Sequence, residues 1–267
     1  MNLKNIETYY DERSLEWKKL YEKKLYPSDF AKIKRGELAN FFVKKYVKEN
    51  LRILDAGCGA GKVLLDIVPN YYVEGIDISS NMIKLCEEEF ELKNISKDKY
   101  KFRIGNLFDL DIKKNSFEGI IALGFLEYQS DENKSLQYLL SLLKPNGFLI
   151  ISGPSDIRLY NFFNLVSLIE RFRRFISKKK REDYKSDWES ICLHKYSISR
   201  FRKLLKENNF QYIEGMQHSY SGFRYINKII GLRGQFFLYK ICSKLFNILK
   251  INRFADDIIV VAIKGEK

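Results

Sequence analysis

The feature that most constrains this chain is a glycine-rich turn, Ile53-Leu-Asp-Ala-Gly-Cys-Gly-Ala-Gly61, set between an apolar run and a segment of helical period. Glycine is needed where a strand turns tightly into a helix and the backbone must approach a ligand, because a Cβ would clash there. The helix starting near Gly61 then offers free N–H groups to an anionic ligand group. A second apolar run ends in Gly75-Ile-Asp77, sixteen residues beyond Gly61. A carboxylate at such a strand end can accept both hydrogen bonds of a ribose diol.

Around this turn, short apolar runs alternate with helix-period segments, the pattern of βα units over a parallel sheet. The runs begin at Leu51, Tyr72, Lys101, Gly119 and Phe148, and the intervening helices fit residues 61–68, 79–92 and 132–143. Ser79 or Ser80 reads as an N-cap, and Lys144-Pro-Asn-Gly reads as the turn ending the third helix. Ahead of this core, residues 14–25 and 28–48 read as two helices. After it come an amphipathic stretch at 156–176, a basic run at 178–181, a helix at 197–207 leading into Phe210, and a compact strand-like run at 257–264.

Spacing separates the ligands such a turn could hold. A dinucleotide fingerprint starting at Gly57 needs glycine at position 62, which is Lys62. A phosphate-binding loop ending at Gly61-Lys62 needs glycine at 56 and Ser or Thr at 63, and these are Ala56 and Val63. Both patterns fail.

What remains, D-x-G-x-G-x-G with a second-strand acid, resembles the class I S-adenosylmethionine-dependent methyltransferases, closely over residues 46–152. The resemblance implies a Rossmann-like α/β fold, a seven-stranded mostly parallel sheet, with an N-terminal helical lid and C-terminal helical cap insertions. It implies S-adenosyl-L-methionine as cofactor, with Asp55, Gly57, Gly59 and Gly61 holding its methionine part and Asp77 its ribose. Ile78 and Met82 match apolar positions beside the adenosine. Asn106, followed by Leu107, stands where the family usually has an aspartate for the adenine amine, and its carbonyl can still accept from that amine. Residues 117–128 look like the fourth strand and its loop, with Glu118 in place of the usual aspartate and Leu123 among the expected cofactor contacts. Cys58 completes the loop and reads as a small apolar spacer rather than a reactive thiol. Tyr10, with Tyr9 and Trp17, resembles the aromatic lid that closes over the cofactor in several relatives.

Methyl transfer is an in-line displacement in which the sulfonium supplies its own leaving group, so positioning can carry the rate and no catalytic triad is needed. A general base is required only for an acceptor that keeps its proton. His194, shortly before a Tyr-Ser helix start, is the one weak candidate. The tetrad typical of base-amine methyltransferases is missing after the fourth strand, which reads Leu123-Gly-Phe-Leu126, and Glu127 alone does not make the glutamate pair of arginine methyltransferases. This favours a small-molecule or lipid-like acceptor and disfavours nucleic acid. An RNA-modifying enzyme and a non-enzymatic binding module are the competing readings.

Charge bears on the acceptor. The chain of 267 residues carries a net +13, yet residues 1–155 contribute only +1 and residues 156–267 contribute +12. We expect three parts: a lid at 1–50, a cofactor-binding core at 51–155, and acceptor-side helices with the last strands at 156–267. Within the last part, residues 156–176 and 235–250 are candidate basic amphipathic helices, suited either to capping the sheet or dimerising, or to lying on an acidic membrane surface. Four scattered cysteines and two histidines disfavour a disulfide scaffold and a structural zinc site. With no signal-like run at the N-terminus, the expected location is cytoplasmic, with peripheral contact at the inner membrane surface as an option.

Overall fold

The computed structural model describes residues 3–17, 27–157, 188, 191–219, 234, 237, 240, 241, 244, 245 and 255–265. Seven strands form one sheet: β1 (Arg52–Ala56), β2 (Tyr72–Asp77), β3 (Tyr100–Ile104), β4 (Phe117–Leu123), β5 (Leu143–Pro154), β6 (Phe210–His218) and β7 (Asp257–Lys264). Their order is β3-β2-β1-β4-β5-β7-β6. Neighbours from β3 through β5 pair in parallel, while β7 runs antiparallel to both β5 and β6. Strand order reverses between β1 and β4, and the crevice outside the carboxyl ends of strands at such a reversal is where open α/β sheets bind ligands.

The central strands bury both faces, which is why they read as unbroken apolar runs. Leu54, Ile120, Leu149, Ile151 and Val260 pack on one side with α5 (Glu132–Leu142) and α6 (Ile198–Glu207). Ile53, Ile121, Ile150 and Ile259 pack on the other with α2 (Pro27–Tyr46), α3 (Lys62–Ile67) and α4 (Ser80–Leu92). Each fully buried aliphatic side chain contributes about 1.5–3 kcal/mol relative to exposure. Side-chain caps fix where the helices start. Ser79 Oγ accepts from Met82 N at 3.1 Å, Asp131 Oδ1 from Lys134 N at 2.9 Å, and Ser197 Oγ from Arg200 N at 3.1 Å.

Two local expectations change. A helix not expected from the sequence, α1, spans Leu3–Glu12, and the expected next helix opens at Ser14, whose hydroxyl donates back to Asp11 O at 2.9 Å. Residues 14–17 are helical as expected, and the remainder of 14–25 lies outside the described residues. The turn at Lys144–Gly147 is drawn into β5, with Asn146 taking φ 60° to absorb the bend. Most of the amphipathic stretch at 156–176 and all of the basic run at 178–181 also lie outside the described residues. Among the described residues, no helix is long and apolar enough to cross a membrane.

Candidate cofactor site

The glycine turn leaves β1 at Ala56 and is tied to the next strand by two bonds, Gly57 N to Ile76 O at 2.8 Å and Cys58 N to Ile76 O at 3.0 Å. Gly57, Gly59 and Gly61 all have positive φ, at 78°, 53° and 74°. The demands at Gly59 and Gly61 differ. A Cβ on Gly59 would meet nothing within 4 Å, so its space is open on the ligand side. A Cβ on Gly61 would lie 2.7 Å from Cys86 Sγ, so here glycine serves the packing of α3 on α4.

Asp77 closes the loop from β2. Its Oδ2 accepts from Gly59 N at 2.8 Å and its Oδ1 from Ser79 N at 2.9 Å. Burial raises its pKa, opposed by those backbone N–H groups. A carboxylate has about four acceptor positions, so capacity for a diol remains. Asp55 is the more strained acid. It is 3% exposed, its Oδ1 has no hydrogen-bond partner, and its pKa is pushed up to about 8, first by burial and then by Asp77, with Arg35 opposing. A buried carboxylate in this state is completed by a ligand that brings positive charge or a donor.

Arg35, on α2, was not among the residues singled out from the sequence. Its guanidinium nitrogens lie 3.2 and 3.4 Å from where a Cβ on Gly124 would stand, just past the carboxyl end of β4. Burial works against its charge, yet Asp257, Glu127, Tyr128 and Tyr10 together hold its pKa above the ordinary value. The sequence did carry a signal. Ala31, Leu38, Ala39, Phe42 and Val43 form the buried stripe of α2, and position 35 falls on that stripe. A cation on the core-facing side of a helix is costly unless it is used.

The N-terminal segment expected to be a lid contributes α1. Tyr10 OH donates to Tyr128 OH at 2.7 Å, and Trp188 Nε1 donates to the same oxygen at 2.9 Å, joining α1, the segment after β4 and the 188–191 region. Burial raises the Tyr10 pKa. Asp11 reaches the N-terminus of α4, where its carboxylate accepts from Ser79 Oγ and from Asn81 N, the latter at 3.2 Å. Ile78, like Tyr9 and Tyr10, packs against the small cluster of Ile6, Tyr128 and Ile191, and Met82 packs with Ala60 and Leu85 in a cluster that Tyr10 and Trp17 join. Cys58 is buried beneath the loop beside Cys86, and its thiol pKa is raised, first by a hydrogen bond with Cys86 and then by burial.

Other sequence candidates stand apart from this cluster or are engaged locally. Asn106 donates to Asp109 Oδ2 at 2.9 Å and accepts from Phe108 N at 3.4 Å, stabilising its own turn, while Leu107 is buried in the core. Leu123 packs at the end of β4 against the α2 side of the sheet. Glu118 sits near the opposite edge of the sheet, accepting from Arg52 N at 2.9 Å and from Lys144. Both ring nitrogens of His194 face polar partners: Nε2 lies 2.8 Å from Gln129 O and Nδ1 3.6 Å from Glu132 Oε2.

A doubly wound sheet with an open glycine turn at its switch point, flanked by the buried Asp55, the half-buried Asp77 and the half-buried Arg35, defines a nucleoside-binding domain of the Rossmann-like class. A family model described as a methyltransferase domain matches residues 47–214, and the chain belongs to that family. It is 31% identical to an O-methyltransferase of Aspergillus nomiae over 103 residues, covering 38% of this chain and 45% of that enzyme. It is 30% identical to the tRNA (carboxymethyluridine(34)-5-O)-methyltransferase of Arabidopsis thaliana, also over 103 residues, covering 38% and 23% respectively. The chain thus matches less than half the length of these curated relatives. The crystal structure of magnesium protoporphyrin IX methyltransferase from Synechocystis PCC 6803 with bound SAH superposes with a TM-score of 0.67 at 15% identity, covering 99% of this chain and 100% of that one. At that identity the likeness is one of fold.

Proposed function

We propose that the protein is an S-adenosylmethionine-dependent methyltransferase acting on a small-molecule or lipid-like acceptor. The observation that carries this reading is the buried Asp55, whose Oδ1 has no hydrogen-bond partner, at the start of the glycine turn, with the Arg35 guanidinium beside Gly124 acting on its charge. Arg35 is suited to the carboxylate of the cofactor's zwitterionic amino-acid end and Asp55 to its ammonium, whose arrival favours the ionised form of a carboxyl that burial otherwise holds protonated up to about pH 8. Asp77 lies at the end of the neighbouring strand for the ribose, and Ile78 and Met82 provide apolar surface for the base.

When bound, the cofactor supplies an electrophilic methyl group on a sulfonium that departs as a neutral thioether. The task left to the protein is to hold the acceptor atom in line and exclude water, an effect worth up to about 7–11 kcal/mol. Tyr10, Tyr128 and Trp188 form a hydrogen-bonded aromatic wall suited to that exclusion. His194, with both nitrogens engaged, is a positioning residue for the segment after β4 in this reading.

Calorimetry with S-adenosylmethionine tests the site directly. Asp77→Ala should weaken binding about 100-fold, because two charge-assisted hydrogen bonds are lost together with the anchor of Gly59. Unchanged affinity sinks the site assignment. For the acceptor, a cell extract incubated with methyl-labelled cofactor should place label in the lipid or small-molecule fraction. Label confined to RNA replaces this acceptor class with a nucleic acid.

A further inference from the structure

Between the end of β6 and the start of β7 the chain leaves and re-enters the same edge of the sheet that carries the glycine turn. His218 and Asp257 are paired neighbours there, and Asp257 is also paired with Pro154 at the carboxyl end of β5. Within this insertion, residues 234, 237, 240, 241, 244 and 245 are helical. Phe237, Ile241 and Leu245, spaced four residues apart, are 66%, 43% and 48% exposed. They therefore share one face, and that face is open to solvent rather than packed on the sheet. Lys240 and Lys244, each one residue before a stripe member, are exposed alongside it. Residues 219–255 as a whole contain seven Lys or Arg and no Asp or Glu.

We propose that this helix face docks on an anionic lipid bilayer. Charge selects the occupant. A second copy of the chain would set Lys240 and Lys244 against identical lysines, with no carboxylate in the insertion to pair with them. A bilayer bearing acidic headgroups accepts Phe237, Ile241 and Leu245 at the acyl boundary and the lysines at the headgroup level, the arrangement of an interfacial amphipathic helix. The insertion leaves and re-enters the sheet at its carboxyl edge, the edge of the candidate cofactor site. The docking itself does not depend on the acceptor.

The test is co-sedimentation of the full chain with vesicles of phosphatidylcholine, with and without phosphatidylglycerol. Binding is expected only with phosphatidylglycerol, weakening with added salt. It should weaken about fivefold for each of Lys240→Gln and Lys244→Gln, and be lost in the triple variant Phe237→Ser, Ile241→Ser, Leu245→Ser. Unfolding temperature and cofactor calorimetry confirm that the variants fold. Phe237→Trp supplies a gain of signal, since its emission should be quenched by brominated lipid. Four results overturn the proposal: no sedimentation of the wild type, full binding by the triple variant, a dimer in gel filtration that the same substitutions abolish, or RNA retention dependent on these residues without vesicle binding. Failure to bind cofactor with vesicle binding intact would instead count against the methyltransferase reading alone.

Discussion

In the proposed function two residues meet the charged end of the cofactor, the buried Asp55 and the half-buried Arg35, which make no direct ion pair with each other among the described residues. The pKa of Asp55 rises from 3.8 to about 8 on folding, so the folded state binds this proton more tightly than the unfolded one. The sign follows from linkage. The contribution to stability is present below pH 4 and is lost as pH climbs through about 8. In the cofactor-free protein the unfolding temperature should therefore carry a downward component from this group across that window. Asp55→Asn should flatten it and leave the protein more stable than wild type above pH 8, while weakening cofactor binding. Scanning calorimetry across pH checks the first outcome and titration calorimetry the second. Arg35→Met should cut cofactor affinity about 10- to 100-fold without unfolding the chain, since hydrogen bonds to charged groups are worth about 1.5–3 kcal/mol. Of these two residues only Asp55 was legible as a site residue, because it belongs to a local motif. Arg35 is twenty residues away on another element, and it shows its role only when α2 is laid on the sheet and its apolar stripe is seen to contain a cation.

At the level of elements, the glycine turn, the lid and α4 act as one unit. Gly59 and Gly61 look equivalent in sequence but have different neighbours, so their substitutions should separate binding from folding. Gly59→Ala places a Cβ in open ligand space, with backbone strain of about 1–2 kcal/mol, and should cost more in cofactor affinity than in stability. Gly61→Ala adds the same strain and drives a methyl into Cys86 Sγ, so it should mainly lower the unfolding temperature. The double variant with Cys86→Ala should recover part of that loss, because the collision is removed. The lid is held by Asp11 on the N-terminus of α4, a position where negative charge is favoured. Asp11→Ala should release α1, seen as faster amide exchange over Leu3–Glu12, with the exchange of β1 and β4 unchanged. The strands and the cap at Ser79 were legible because periodicity and capping are local. The start of α1 was not. Its apolar residues are few, and its order comes from docking Tyr9, Tyr10 and Asp11 on other elements.

Across the whole molecule, charge and function divide along the chain. Residues 1–155, which carry the glycine turn, are nearly neutral, and residues 156–267 carry +12. The βα pattern and the closing strand near 257–264 were readable as a doubly wound sheet. The antiparallel placement of β7 between β5 and β6 is a matter of long-range pairing, which an apolar run alone does not encode. The fate of the helix within 235–250 was likewise undecided, since an apolar stripe has the same spacing whether it faces a core or water. Only its exposure separates the two. The division of charge leads to a prediction about ionic strength. The Asp55 and Arg35 charges are drawn out of bulk water, where screening by salt is weak, whereas exposed lysines are screened within about 10 Å at moderate salt. Cofactor affinity measured from low to high salt should therefore change by no more than about twofold, while any association made through residues 156–267 should fall steeply over the same range. A cofactor affinity that collapses with salt would mean that its charged end is held by exposed lysines, and that Asp55 and Arg35 are structural charges of the sheet edge.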